Sequence, residues 1–332
     1  MPDKISIFAP VIIPTLCRYE HFKRCIESLS ECVGAEHTEV YVGLDYPIKD
    51  SHREGYQTIC EYLAHAKFRF KKLHVLKREK NLGPGGNSSK LREEVTRDFD
   101  RWIYSEDDNV FSPNFLVYIN KGLEHYKDDP RVFAICGYTM PVDWKIGDNN
   151  HFATRSFRAW GYGVWLNKYT DFWKSRNGKW ISDFLYKKKN ANKESFFQLY
   201  RNEYGIWESA IKHLFMRKIY YGDMMVYAYL LGTNRYIICP SRSLVRNEGF
   251  DKFGVNYKEP PKWLKEIDFD SSNESFDLNG DPFLFVQENE RRRRLFGKKI
   301  NKVTIHNLRG RISFFFKIFL RVLFRGKENR TW

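Results

Sequence analysis

Residues 5–29 read ISIFAPVIIPTLCRYEHFKRCIESL, and two periodicities meet in them. The first nine residues are a nearly continuous apolar, β-branched run, the pattern of a strand buried on both faces. Phe22, Cys25, Ile26 and Leu29 then fall at helical spacing. EVYVGLD (39–45) repeats the strand pattern, and a helix-like stretch with Ile59, Leu63 and Ala64 follows it. KLHVLKR (72–78) is a third predicted strand. NLGPGGN (81–87) reads as a glycine-rich loop leading into a polar helix near 88–98. RWIYSE (101–106) is a fourth strand, SPNFLVYINKGLEHY (112–126) a helix with a Ser cap and Pro in its first turn, and RVFAICGY (131–138) a fifth strand. Such alternation predicts a mostly parallel, three-layer α/β sheet. Ligands of such sheets bind outside the carboxyl ends of the strands.

The pattern loosens after about residue 150. FRAWGYGVWLNKY (157–169) is rich in aromatics and glycine, and ISDFLYKKKNANKESFFQLY (181–200) is polar and helix-prone. YYGDMMVYAYLLGTNRYIICP (220–240) reads as a helix, a Gly stop and a short strand. VRNEGFDKFGVNY (245–257) has no periodicity and reads as a loop. The organisation expected is a ligand-binding half (1–140), a second half (141–255), a wrapping segment (256–290) and a basic tail (291–332).

The 332 residues, 42% of them hydrophobic and 17% aromatic, supply a sizeable core. The net charge of +15 is almost all in the tail, where 14 Lys and Arg face one acid, Glu328. The remainder is near neutral, so a nucleic-acid partner would rest on the tail alone, and no recognition motif accompanies it. No nucleic-acid partner is expected. The six cysteines have no ligand-like or CxxC spacing and read as ordinary thiols. The start reads as a strand, not a signal peptide. His151 and His213 show no catalytic spacing. In 309–327, Ile312, Phe315, Phe316, Phe319, Leu320, Leu323 and Phe324 share a face opposite Lys317, Arg321 and Arg325. A helix of about 14 residues there would be roughly 21 Å long, too short to span a bilayer but suited to lie on an anionic leaflet.

Three adjacent acids, Glu106, Asp107 and Asp108, end the fourth strand. Their repulsion calls for a positive charge among them. A divalent cation with oxygen ligands, Mn2+ or Mg2+, would supply it and keep open positions for substrate phosphates. That charge is expected to arrive with a ligand. Asp45 ends the second strand and can accept from a base N–H, Arg18 can offer a fork to a phosphate, and the glycines can admit a ligand close to the backbone.

The blocks PVIIPTLCRYEHFKRCIESL, VYVGLDYP, KREKNLGPGGN and WIYSEDDNVFSPNFLVYI, in that order, resemble a GT-A glycosyltransferase of the inverting, nucleotide-sugar family-2 type. They also resemble the Golgi N-acetylglucosaminyltransferase type that starts complex N-glycans. The likeness covers about residues 8–140 and resumes at AWGYGVWL and in 222–254, there in the manner of bacterial surface-polysaccharide transferases. It implies a Rossmann-like GT-A fold and a nucleotide-sugar donor, UDP-linked. Asp45 would contact the base, Thr15, Arg18 and Gly85 would line the nucleotide site, Glu106 and Asp107 would face ribose and sugar, and Asp108 would bind the metal.

The resemblance also makes Asp223 the base on the acceptor hydroxyl, although family members often carry Glu-Asp where this chain has Gly222-Asp223. An Asp opening an apolar helix is equally an N-cap, and the two roles are compatible. Trp160 could stack on an acceptor sugar, with Gly161 and Gly163 leaving room for it. The Gln-x-x-Arg-Trp signature of processive synthases is absent, which favours one sugar per encounter. The implied acceptor is a glycan or lipid-linked glycan, at the cytoplasmic face of the membrane where the tail would bind. A sugar nucleotidyltransferase and a non-catalytic carbohydrate-binding relative are the alternatives.

Overall fold

The computed structural model describes residues 7–175, 222–251, 261–272 and 277–300. The first strand, β1 (Val11–Thr15), starts where the run becomes fully β-branched. α1 (Tyr19–Ser30) buries Phe22, Cys25, Ile26 and Leu29, the four positions of the helical spacing. β2 (Glu39–Leu44), α2 (Asp50–His65) and β3 (Lys72–Lys77) follow. α3 (Gly83–Val95), β4 (Arg101–Tyr104), β5 (Asn109–Phe111), α4 (Phe115–His125) and β6 (Val132–Cys136) complete the first half. Beyond it come β7 (His151–Thr154), β8 (Tyr162–Trp165), α5 (Leu166–Ser175), α6 (Gly222–Thr233), β9 (Tyr236–Pro240), β10 (Val245–Asn247) and α7 (Val286–Ile300).

Eight strands form one sheet in the order β3-β2-β1-β4-β8-β6-β9-β7. The β3, β2, β1 and β4 neighbours are all parallel, and so are β6 and β9; β8 and β7 run antiparallel to their neighbours. Successive side chains alternate between two cores. Val11, Ile13, Ile103 and Ile238 join one with α1, α2 and α4, while Ile12, Trp102, Ile237 and Cys239 join the other with α3, α5 and α6. Burial on both faces is what the unbroken apolar runs encode. The chain steps outward from β1 to β2 to β3, then crosses back to place β4 on the other side of β1. The crevice at this reversal, between the carboxyl ends of β1 and β4, is where such sheets bind ligands.

Several expectations are corrected. The glycine-rich stretch is not a loop: Gly83 takes a left-handed φ of +68°, Pro84 sits in the first turn, and the helix is already running through Gly85 and Gly86. Pro at that point forfeits no intrahelical bond. α4 starts three residues after Ser112, with Asn114 in the cap position. Gly232 does not stop α6; Asn234 does, with φ +56°. VRN is a strand, β10, paired antiparallel with β5, so Val245 faces Phe111 and Asn247 faces Asn109. The pairing was hidden because two three-residue strands show no periodicity. The polar stretch 181–200 and the amphipathic stretch 309–327 lie outside the described residues.

The arginine run does not begin a free tail. Arg292 pairs with Asp143 and Glu288, Arg293 with Glu290, and Arg294 donates to the Glu290 carbonyl, all on α7 docked against the body. Among the described residues no helix is long and apolar enough to cross a membrane. All six cysteines are free thiols.

Candidate active site

The register of the sheet builds the site. Ser105 N–H donates to the Ile12 carbonyl and Asp45 N–H to the Thr15 carbonyl, so the ends of β4, β1 and β2 lie side by side. Thr15 Oγ1 donates to Asp107 Oδ2 at 2.7 Å. Arg18, immediately before α1, reaches across to both aspartates: Nη1 is 2.9 Å from Asp108 Oδ2, and Nη2 pairs with Asp107 Oδ1. Asn247 Nδ2 donates to the other Asp108 oxygen at 2.6 Å. Asp107 and Asp108 are each only 7% exposed.

The positive charge among the acids is therefore in the chain itself, which corrects the expectation that it comes with a ligand. Burial works against the Arg18 charge, but Asp107 and then Asp108 outweigh it and hold the guanidinium firmly protonated. Burial raises Asp107 above the usual carboxylate range, and Arg18 opposes that rise. Glu106 is pushed well above it, by burial first and then by Asp108, Asp223 and Asp107. None of the described residues donates a hydrogen bond to the Glu106 carboxylate.

A short second sheet closes over this cluster. β10 lies against β5, the strand that leaves the acids, and Glu248 N–H donates to the Asp108 carbonyl at 2.8 Å. Glu248 and Asp251 reach α1 through Arg24 at 2.7 Å and His21 at 3.2 Å. A Cβ on Gly249 would sit 2.0 Å from Asp108 Oδ2, so the clasp needs glycine there.

Asp45 is buried, and its Oδ1 accepts from Tyr46 N–H at 3.0 Å and Leu82 N–H at 2.8 Å. Its other oxygen takes no bond from a described residue. Gly85 lies in the first turn of α3, where an added Cβ would meet nothing within 4 Å. Asp223 stands in the first turn of α6, close enough for its charge to raise Glu106. Burial raises the Asp223 carboxyl, while Arg158 and the Ala159 N–H that it accepts lower it. Trp160 packs edge-on against Tyr138, centroids 4.6 Å apart, and against Phe250. The space left by Gly161 and Gly163 is filled from the core: a Cβ would meet Val245 and Phe115 at the first and Ile119 at the second. His151 bonds Tyr126 Oη at 2.7 Å, and burial pushes it down to about 4.

Thr15, Arg18, Asp107 and Asp108 thus share one cluster, with Glu106 leading toward Asp223, and Asp45 stands at the neighbouring strand end. Sequence reasoning missed Asn247, Gly249 and Arg158. The signal for Arg158 is a lone cation within an aromatic run; for Asn247 there is none without the β5–β10 pairing. Two carboxylates already converging on one positive charge fit a divalent cation that completes its shell with phosphate oxygens and water. Among the described residues no group of three or more His, Cys, Asp and Glu side chains is arranged to hold a metal.

The model for the family described as Glycosyl transferase family 2 matches residues 11–204. No curated relative matches. Among solved structures, residues 1–349 of S. aureus TarS in complex with UDP are 17% identical, over 39% of this chain and 35% of that one, with a TM-score of 0.29. S. aureus TarS is 14% identical over 72% and 36%, with a TM-score of 0.37. The mannosyltransferase PcManGT from Pyrobaculum calidifontis, in complex with GDP-Man and Mn2+, is 17% identical over 49% and 46%, with a TM-score of 0.35. The chain spans half or less of the length of these solved chains.

Proposed function

The chain belongs to glycosyl transferase family 2, and on that premise we propose that it is a metal-dependent, inverting transferase. It passes a hexose or N-acetylhexosamine from a UDP-sugar to a hydroxyl of a glycan or lipid-linked glycan. The observation that carries this reading is the convergence of Thr15, Arg18, Asp107 and Asp108 at the crevice between β1 and β4, with the charge of Asp223, at the start of α6, acting on Glu106.

Asp45 has one oxygen committed to the backbone and one available for the N–H of a uracil ring. Arg18 offers a planar fork to the diphosphate. Gly85, with no neighbour where a Cβ would stand, leaves the first turn of α3 open to the nucleotide. Glu106 and Asp107 face ribose and sugar, and Asp108 would hold Mn2+ or Mg2+. A cation held there would supply neutralisation of the charge that develops on the leaving diphosphate. Asp223 takes the proton of the acceptor hydroxyl, a task that suits a carboxylate raised by burial. Trp160, positioned by the turn at Gly161, stacks on the acceptor. Contact with an anionic membrane, at the inner face of the cell membrane, rests in this reading on residues 301–332.

The test is release of nucleoside diphosphate from a panel of nucleotide sugars with Mn2+, using the full chain, Asp108→Ala and Asp223→Asn. UDP release from one UDP-sugar, lost in both variants, supports the reading. No diphosphate from any donor with any glycan acceptor overturns it, and pyrophosphate release would indicate nucleotidyl transfer instead. Liposome co-sedimentation of the full chain against a truncation after residue 300 tests the membrane contact; equal pelleting removes it.

A further inference from the structure

Every oxygen of the Asp107–Asp108 pair already has a donor from the protein. Arg18 serves one oxygen of each, Thr15 the second of Asp107 and Asn247 the second of Asp108. Each Asp108 oxygen keeps a second lone pair, but the guanidinium charge 2.9 Å from Oδ2 opposes a second cation at the same carboxylate. Asn247 is fixed by its strand, by Asn109 Oδ1 at 3.1 Å and by the Gly249 N–H that it accepts. Arg18 is the partner that can leave. Its side chain is 30% exposed, it lies ahead of α1 outside any regular element, and its guanidinium donates to nothing else among the described residues.

We propose that Arg18 is an internal counter-ion that couples cation binding to diphosphate binding. It holds Asp107 and Asp108 until a nucleoside diphosphate accepts its guanidinium, and the carboxylate oxygens it releases then receive the divalent ion. The exchange is balanced in charge. Two carboxylates keep a cationic partner throughout, and the guanidinium passes from one pair of anionic oxygens to another of the same bidentate geometry. Each ligand removes an obstacle to the other, so the two bind with positive coupling, which is reciprocal by linkage. Without diphosphate, Arg18 competes with the ion. The inference rests on the nucleotide-sugar reading of the site.

The test is Mn2+ binding to the full chain, followed by electron paramagnetic resonance of free Mn2+, with and without saturating UDP. In the wild type, UDP is expected to tighten Mn2+ binding about tenfold or more. Arg18→Gln is expected to bind Mn2+ about tenfold more tightly than wild type in the absence of UDP, and to lose most of the enhancement. Arg18→Lys, a point charge that cannot fork between two carboxylates, should fall between them and serves if the Gln variant does not fold. Unchanged or weaker Mn2+ binding without UDP in the folded variant overturns the counter-ion role, and so does wild-type binding that ignores UDP. Failure of UDP to bind the wild type at all, with or without Mn2+, overturns the donor-site reading as well.

Discussion

Burial raises Glu106, Asp107 and Asp223 alike, and they differ in what opposes the rise. Asp223 is raised by burial and restrained by Arg158 and the Ala159 N–H. As the proposed base it would work ionised, so turnover should fall as pH drops through its value, above the ordinary carboxylate figure of about 3.9. Arg158→Gln removes the restraint and should move that acid limb to higher pH, which a kcat/KM profile reads directly. Glu106 lies among like charges with no donor from the described residues. Its raised value means that the folded state prefers the protonated form. The stability it contributes is present at low pH and is lost as pH rises through the folded value. Glu106→Gln should therefore raise Tm by a few degrees at neutral pH while weakening donor use, a trade expected where charge is buried for function. The acids and Asp45 were legible in the sequence because they stand at strand ends. Their neutralisation by Arg18 was not, because it depends on a side chain 89 residues away from Asp107 in the chain.

At the scale of elements, the site depends on two short strands. β5 leaves the acid triplet and β10 returns to cover it, placing Asn247 on Asp108 and Gly249 against the same carboxylate. Gly249→Ala would put a methyl 2.0 Å from Asp108 Oδ2, and either the clasp or the carboxylate must move. The expected outcome is weaker UDP binding in the presence of Mn2+, by about tenfold or more, with a smaller effect on Tm; calorimetry and a thermal melt check it. The long elements were readable because burial imposes period: α1 buries the four residues spaced for it, and β2 lies within its apolar run. A three-residue strand has too few positions to show a period, and α3 was misread because its glycines suggested a loop where Pro84 begins a helix.

Across the whole molecule, α7 ties the C-terminal part of the chain to the sheet through one buried acid. Glu290 accepts from Thr154 Oγ1 at 3.2 Å and from Arg155 N–H at 3.0 Å, and it pairs with Arg293. Burial alone would raise Glu290; Arg293 and Arg155 more than offset this and hold it below the usual range. Its contribution to stability is present at neutral pH and is lost as pH falls through the lowered value. Glu290→Ala removes the acceptor of the Thr154 hydroxyl and the Arg155 N–H and the counter-charge beside Arg293, and should cost about 3–5 kcal/mol in a denaturant titration. Residue counts could show that the positive charge is concentrated after 290. They could not show that Arg292 already pairs with Asp143 and Arg293 lies over the Tyr227 ring, while Arg294 bonds within α7.

The most direct measurement compares UDP affinity with turnover in one variant. Asp223→Asn is nearly isosteric and lies outside the Arg18–Asp107–Asp108 cluster. With Mn2+ present it is expected to bind UDP within about threefold of wild type while UDP release from the donor in the presence of acceptor falls by about 10²–10⁴-fold. Undiminished release by Asp223→Asn, with UDP bound normally, would contradict the assignment of the crevice as a transferase site with its base on α6.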